Sequence, residues 1–104
     1  MKFVIAFTTQ QGGTEADRHE AAKKAQQLLA TWQPSDAASI VQWVSRVDGN
    51  GGFSIVETDS AENILGDLAT WSSFLDFQVY PVIDIGDATP VTDAALGTRA
   101  ALDN

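Results

Sequence analysis

The chain of 104 residues contains no cysteine, one histidine and only six basic residues. Without cysteine it forms no disulfide and has no thiolate for metal binding or nucleophilic catalysis. A single histidine excludes a metal site built from several histidines of one chain. The formal net charge of −8 argues against nucleic acid and anionic membranes as partners, because both bind basic surfaces. We therefore expect no metal and no cofactor.

Long hydrophobic runs are also missing. The apolar stretch Phe3–Phe7 is followed at once by two threonines, whereas a membrane-spanning helix needs about 20 apolar residues. A signal peptide likewise needs a longer apolar region and a small-residue cleavage site. We expect a cytoplasmic protein with no membrane partner.

Apolar residues make up 44% of the chain, enough for one domain with one core. Periodicity and turn signals predict strands at Lys2–Thr9, Ala38–Val47, Phe53–Thr58 and Phe74–Ile85, and helices at Asp17–Trp32, Ser60–Ser73 and from Thr89-Pro90 to Leu102. The order β-α-β-β-α-β is that of a ferredoxin-like α+β domain. We divide the chain into this domain, residues 1–88, and a C-terminal tail helix of the same domain, residues 89–104.

Local signals refine these elements. Thr14 with Asp17 predicts the cap of the first helix, and Asp59 with Glu62 that of the second. The first strand is expected inside the sheet. Pro81 places the fourth strand at a sheet edge or at a bulge, since proline cannot donate a ladder hydrogen bond.

Both faces of the predicted sheet carry large apolar side chains. In the second strand Ile40 and Val44 are predicted on one face, opposite Trp43; in the fourth, Phe77 and Val79 lie opposite Tyr80. Two helices cover only one face of a four-stranded sheet, and the tail helix is too small to cover the other. We therefore predict a homodimer that buries the second face.

Two segments resemble a small bacterial family of unknown function. The sequence of Trp71–Ile83, WSSFLDFQVYPVI, is similar to the family pattern W-x-x-L-L-x-F-x-V-x-P-V-x, with Phe74 in place of the first leucine. The sequence of Asp48–Asp59 resembles the glycine-rich turn and following strand of the family, and Met1–Ile5 resembles its opening.

Such proteins are similar to the dimeric α+β barrel superfamily. That superfamily includes cofactor-free monooxygenases, haem-degrading monooxygenases, muconolactone isomerases and stress-responsive barrel proteins. The resemblance implies that two ferredoxin-like subunits form a dimeric α+β barrel. It implies no particular reaction, because fold alone does not define function.

Arg18 and His19 are the candidate catalytic residues. Arg18 falls near the centre of the apolar face of the first helix, one turn before Ala22, and His19 falls at its flank. Arg18 either pairs with a sheet carboxylate or binds a carboxylate or enolate of a ligand. His19 is either a general base or a half-exposed surface residue.

Trp43, Tyr80, Trp71 and Arg46 are the candidate ligand-binding residues. The aromatic side chains, with Trp32, suit a small planar ligand, but the same residues also suit a core or an interface. Arg46 is expected to pair with Asp76 or Asp84 across strands, unless it binds an anionic ligand.

A loop segment and three aspartates are weaker candidates for binding sites. The segment Gln11–Thr14 before a helix lacks the lysine of a phosphate-binding loop, so we expect a connector. Asp76, Asp84 and Asp87 have no calcium-loop spacing, so we expect solvated carboxylates.

Two functions stay open. One is a small-molecule enzyme resembling cofactor-free monooxygenases or isomerases. The other is a non-catalytic ligand-binding or assembly module.

Overall fold

A computed structural model describes residues 1–10, 13–36 and 39–102 and shows four strands and three helices in this part of the chain. They are β1 (Lys2–Thr9), α1 (Glu15–Thr31), β2 (Ile40–Ser45), β3 (Gly51–Glu57), α2 (Ala61–Trp71), β4 (Leu75–Val82) and α3 (Ile85–Leu102). Gln11 and Gly12 of the predicted connector, and the predicted start of the second strand at Ala38, lie outside the described residues.

The four strands form one antiparallel sheet in the order β2-β3-β1-β4. The α+β class is confirmed, and this order is compatible with a ferredoxin-like fold. β1 lies inside the sheet, as predicted, and β4 lies at an edge. Pro81 pairs with Phe3 of β1, and β4 has no strand on its other side among the described residues, which confirms the edge position predicted from the missing N–H of proline.

The strand register divides the sheet into two faces, because side chains alternate along a strand and paired residues share a face. The core face carries Phe3, Ile5, Phe7, Ile40, Trp43, Ser45, Gly52, Ser54, Val56, Leu75, Phe77 and Val79. The open face carries Val4, Ala6, Gln42, Val44, Phe53, Ile55, Gln78, Tyr80 and Val82.

A register shift in β2 changes which of its side chains share a face. The pairing passes from Ile40–Val56 directly to Gln42–Ile55 and leaves out Val41. One extra residue in a strand reverses the alternation that follows it. Ile40 therefore shares the core face with Trp43, and the prediction that it shares a face with Val44 is wrong.

The core is small. Ile5, Val56 and Ile64 form its buried cluster, and Phe3 and Phe77 are among the half-buried side chains packed against it. Trp71 is the remaining buried hydrophobic residue of the described chain. No residue of α1 is buried, and only Ala25 and Leu28 within that helix are half-buried. Helix α1 therefore covers the sheet loosely.

The cap of α1 is the predicted one. The backbone N–H of Asp17 donates to the Thr14 hydroxyl at 3.1 Å, and the N–H of Thr14 donates to the Asp17 carboxylate at 3.1 Å. These hydrogen bonds lower the pKa of Asp17, chiefly through the Thr14 backbone and then through its hydroxyl. A capping box thus starts the helix.

The cap of α2 differs from the prediction. Ser60 accepts a hydrogen bond from the N–H of Asn63 at 3.3 Å and is the N-cap. Asp59 instead binds the N-terminal ammonium group at 3.0 Å. With Ser60 as the N-cap, the helix starts at Ala61, one residue later than a cap at Asp59 predicts. The serine hydroxyl is within reach of the free N–H groups of the first turn.

In the variant Thr14→Ala we expect the pKa of Asp17 to rise part of the way to its ordinary value, because the backbone N–H remains and the hydroxyl is lost. Asp17 has a lowered pKa when folded, so its contribution to stability is present above about pH 4 and is lost as the pH falls through its folded pKa. Carboxyl NMR titration measures the shift. The lowered pKa of Asp48, which depends on the Asn50 N–H and then on Arg46, is the internal control.

Helix α3 begins at Ile85, four residues ahead of Thr89. The carbonyl of Asp84 accepts hydrogen bonds from the N–H groups of Asp87 and Ala88, both at 3.0 Å, which closes the first turn there. Pro90 therefore lies inside the helix. Every described residue of α3 is exposed except the half-buried Ala88, so α3 projects from the sheet as an arm.

Candidate functional site

A cavity of about 450 Å³ lies between the core face of the sheet and the helices, and we call it the main cavity. Strands β1, β2 and β3 form its floor, β4 closes one side, and α2 and the end of α1 form its roof. Its lining residues are Ile5, Phe7, Leu29, Ser39, Ile40, Trp43, Val44, Ser45, Ser54, Val56, Thr58, Asn63, Ile64, Asp67, Leu68, Trp71, Leu75 and Phe77. The lining is predominantly apolar, and the cavity reaches the surface.

Small side chains in the middle of the sheet create this space. Ser54 of β3 pairs with Ile5 on one side and with Trp43 on the other, and Ser45 pairs with Gly52. Both serines line the cavity, whereas the ring of Phe7 occupies the space beside Gly52. The helices rest on the larger residues around them, and the volume above Ser54 stays open.

Three tryptophans stand at one side of the main cavity. Trp32, which follows α1, meets Trp43 edge to face at 5.9 Å between ring centres and Trp71 at 5.6 Å. Trp43 and Trp71 line the cavity directly. Edge-to-face packing is a preferred arrangement of aromatic rings, and we call these three side chains the aromatic wall.

Helix α2 supplies the amide and the carboxylate of the main cavity, and the strands and loops supply hydroxyl groups. Among the described residues that line it, Asp67 has the one ionisable side chain. One oxygen of the Asp67 carboxylate, Oδ1, accepts hydrogen bonds from the backbone N–H of Ser35 at 2.9 Å and from the Ser35 hydroxyl at 2.7 Å. Asn63 lies one turn earlier on the same helix and also lines the cavity. The amide and the carboxylate therefore face the same space.

A second cavity of about 630 Å³ lies beside the first half of α1. Arg18 lines it together with Ala22 and Ala25, and both Arg18 and Ala22 are exposed. No sheet carboxylate pairs with Arg18 among the described residues; its guanidinium donates to the carbonyl of Gly13 at 3.3 Å. Asp17 also lines this cavity.

The predicted site residues do not converge on one place. Trp43 and Trp71 line the main cavity, Arg18 lines the second, and His19 is exposed and lines neither. Tyr80 lies on the open face, where its hydroxyl donates to the Gln78 side chain at 2.6 Å. The roles predicted for these residues stay predictions.

The predicted pairing of Arg46 is wrong. Its guanidinium binds the carboxylate of Asp48, two residues away in the β2–β3 turn, and not Asp76 or Asp84. The turn at Asp48–Asn50 brings this carboxylate back to the strand end. Asp84 instead accepts from the Lys2 ammonium at 2.6 Å, and this hydrogen bond and the charge of Asp84 raise the pKa of Lys2.

Asn63 and Asp67 were not predicted as site residues. At 100° per residue Asp67 lies about 40° from Trp71 and Asn63 lies on the same side. Both residues therefore lie just outside the predicted apolar stripe, and the place of Asp67 beside Trp71 at its edge was the available signal. Leu65, predicted within the stripe, is instead 70% exposed, because the face that meets the sheet is rotated toward Asp67.

The described residues contain neither a group of metal ligands nor a helix able to span a membrane. Within residues 1–10, 13–36 and 39–102 no three histidine, aspartate or glutamate side chains are grouped so that they could hold a metal ion. None of the helices in these ranges combines the length and the apolar composition that crossing a membrane requires.

The fold and the site define the class of protein: a small α+β domain with a four-stranded antiparallel sheet and an apolar cavity beneath its helices. A family model described as a domain of unknown function (DUF3303) matches residues 1–96. Because the match covers most of the chain, the protein belongs to that family. No curated protein matches the chain.

Proposed function

We propose that the protein binds a small, mainly apolar aromatic molecule in the main cavity. The observation that supports this proposal is the cavity of about 450 Å³, which the aromatic wall borders on one side. Its volume is within the range of about 300–1,000 Å³ common for ligand pockets, and its lining has the usual mixture of apolar side chains with a few polar groups.

A binding function is favoured over catalysis by the distribution of ionisable groups. A general base must reach the reacting atom directly or through one water. Arg18 and His19 do not line the main cavity, so among the described lining residues Asp67 stands alone, without a second ionisable group to share acid–base work. A cofactor-free monooxygenase- or isomerase-like reaction is the second candidate. It requires Arg18, which lines the second cavity, to contact the bound ligand.

Tryptophan fluorescence tests the binding site, because all three tryptophans of the chain belong to the aromatic wall. We expect 2-naphthol to quench this fluorescence saturably. In the variant Ser54→Phe the new ring fills the space above β3, and we expect the affinity to fall at least about tenfold. A tenfold loss is about 1.4 kcal/mol of binding free energy.

Two further variants make this test specific. Ala69→Phe places the same ring on the exposed side of α2, away from Asn63 and Asp67, and is expected to leave binding unchanged. Arg18→Ala distinguishes the two cavities. If Arg18→Ala abolishes binding and Ser54→Phe does not, the ligand lies in the second cavity and the main-cavity proposal is wrong.

We also propose that a second copy of the chain covers the open face. Val44, Phe53 and Tyr80 are 43%, 46% and 49% exposed there, next to the half-buried Val4 and Ile55. A twofold axis through this face places each apolar side chain against the same patch of the partner. This arrangement is the dimeric α+β barrel that the sequence resemblance implies.

The surface area supports a dimer of this kind. A folded monomer of 11.1 kDa is expected to expose about 5,700 Å², whereas this chain exposes 7553 Å². The excess of about 1,900 Å² per subunit is in the range that obligate dimers bury. The radius of gyration of 18.6 Å also exceeds the roughly 13 Å expected for a single domain of this length.

Helix α3 contributes to this excess, and we propose that it packs on the partner subunit. Its large apolar residues Val91, Leu96 and Leu102 are all more than half exposed. An 18-residue helix without tertiary packing has little stability of its own. Sedimentation equilibrium measures the mass of the assembly, and a single monomeric species at all concentrations would contradict both proposals on the dimer.

A further inference from the structure

The charge inside the main cavity is negative. Asp67 lines it, and among the lining residues in the described chain there is no lysine, arginine or histidine. An anionic group brought into this cavity would meet a carboxylate and no cation. In a partly desolvated site, repulsion of like charges is stronger than at the surface.

The Asp67 carboxylate is held in one orientation. Ser35 donates two hydrogen bonds to Oδ1, from its backbone N–H and from its hydroxyl. Within the described part of the chain, Oδ2 of Asp67 has no hydrogen-bond donor. A carboxylate fixed through one oxygen leaves the other available to accept from a ligand.

The surroundings of Asp67 suit a donor on an aromatic ring. Trp71 lies one turn further along α2 and belongs to the aromatic wall, which stacks planar rings and attracts cations through its π faces. Asn63, one turn earlier, lines the same side with an amide that both donates and accepts. An aromatic ligand against the wall therefore has its substituent close to Asn63 and Asp67.

We infer that the main cavity selects aromatic ligands bearing a hydrogen-bond donor, a hydroxyl or a protonated amine, which Oδ2 of Asp67 accepts, and that it rejects carboxylated analogues. This inference rests on the proposed binding function and adds the class of ligand to it. It also assigns Asp67 as the residue that determines specificity.

Four probes of one ring system test the inference: 2-naphthol, naphthalen-2-ylmethylamine, 2-methylnaphthalene and 2-naphthoate, each titrated against tryptophan fluorescence at neutral pH. We expect the amine and the naphthol to bind at least about tenfold more tightly than methylnaphthalene, because a hydrogen bond to an ionised group is among the stronger ones. Naphthoate is expected to bind most weakly.

The variant Asp67→Asn removes the negative charge and keeps a side chain of nearly the same shape. Asparagine retains an oxygen for the two Ser35 donors and replaces the second oxygen with an NH2 group, which donates. We expect the preference for the amine to disappear and the affinity for naphthoate to rise at least about tenfold. Asp93→Asn on the exposed α3 changes the net charge equally and is the matched control; it is expected to preserve the order of affinities.

The outcomes distinguish an error in the ligand class from an error in the proposed binding function. Equal affinity for all four probes, or preference for naphthoate, overturns the ligand class and leaves aromatic binding in place. Failure of every probe to quench overturns the proposed function itself. The comparison on the unsubstituted chain decides between these results even if Asp67→Asn does not fold.

Discussion

The variant Phe53→Glu is expected to sediment as a monomer of 11.1 kDa, whereas the proposed dimer of the unsubstituted chain is expected to sediment at twice that mass. Phe53 lies on the inner strand β3, paired with Ala6 on one side and Val44 on the other. It therefore occupies the middle of the open face. In a twofold interface the substitution introduces a glutamate from each subunit at nearly the same place.

The expected effect is large because the two carboxylates lose water and gain no partner. Removing an unpaired charge from water costs several kcal/mol, and each 1.4 kcal/mol weakens the dimer tenfold. We therefore expect the dissociation constant to rise by more than about a hundredfold. Sedimentation equilibrium over a range of protein concentrations gives this constant directly.

Leu65→Glu is the matched control. Leu65 is 70% exposed on α2 and lies outside the open face, so the same change of charge is expected to leave the dimer intact. Circular dichroism establishes that both variants are folded. Dimerisation of Phe53→Glu with unchanged affinity would show that the open face is not the interface.

The variant Gly52→Ala is expected to lower the free energy of unfolding by about 3 kcal/mol or more, toward the upper limit for overpacking of a core position. A Cβ atom at Gly52 would lie 2.1 Å from the carbonyl oxygen of Val44 and 2.6 Å from Cζ of Phe7. β3 is hydrogen-bonded on both sides, by β2 and by β1. It cannot move away from one neighbour without losing pairing to the other.

Urea unfolding measures this loss, and both chains are compared at one protein concentration because the stability of the proposed dimer would depend on concentration. Gly97→Ala is the control, because a Cβ there meets no atom within 4 Å and alanine is favoured over glycine in a helix by about 1 kcal/mol. We expect Gly97→Ala to unfold at the same or a higher urea concentration. Equal midpoints for Gly52→Ala and the unsubstituted chain would refute the steric argument.

Features that depend on neighbouring residues could be predicted from the sequence. The capping box of α1 needs only Thr14 and Asp17, three positions apart, to be in reach of one another. Pro81 marks an edge strand wherever the rest of the sheet lies, because its missing N–H is a property of the residue itself. The order of the elements follows in the same way from local periodicity and turn signals.

The alternation of β2 could not be predicted in this way. The omitted position at Val41 depends on how β2 pairs with β3, a partner across the hairpin. A single inserted residue reverses the faces of all residues after it. Strict alternation therefore predicts the wrong partners for Ile40 although it identifies the strand correctly.

The candidate site depended still more on tertiary structure. By itself the sequence determined that the protein is an α+β domain without cysteine, with aromatic residues suited to a planar ligand. The fold alone decided that Trp43 and Trp71 share a cavity, that Tyr80 lies on the opposite face, and that Asp67 is held by Ser35. The physical reason is the distance along the chain. Composition and local spacing determine which residue types are available, but only the pairing of distant strands and the seating of helices on them determine which side chains meet.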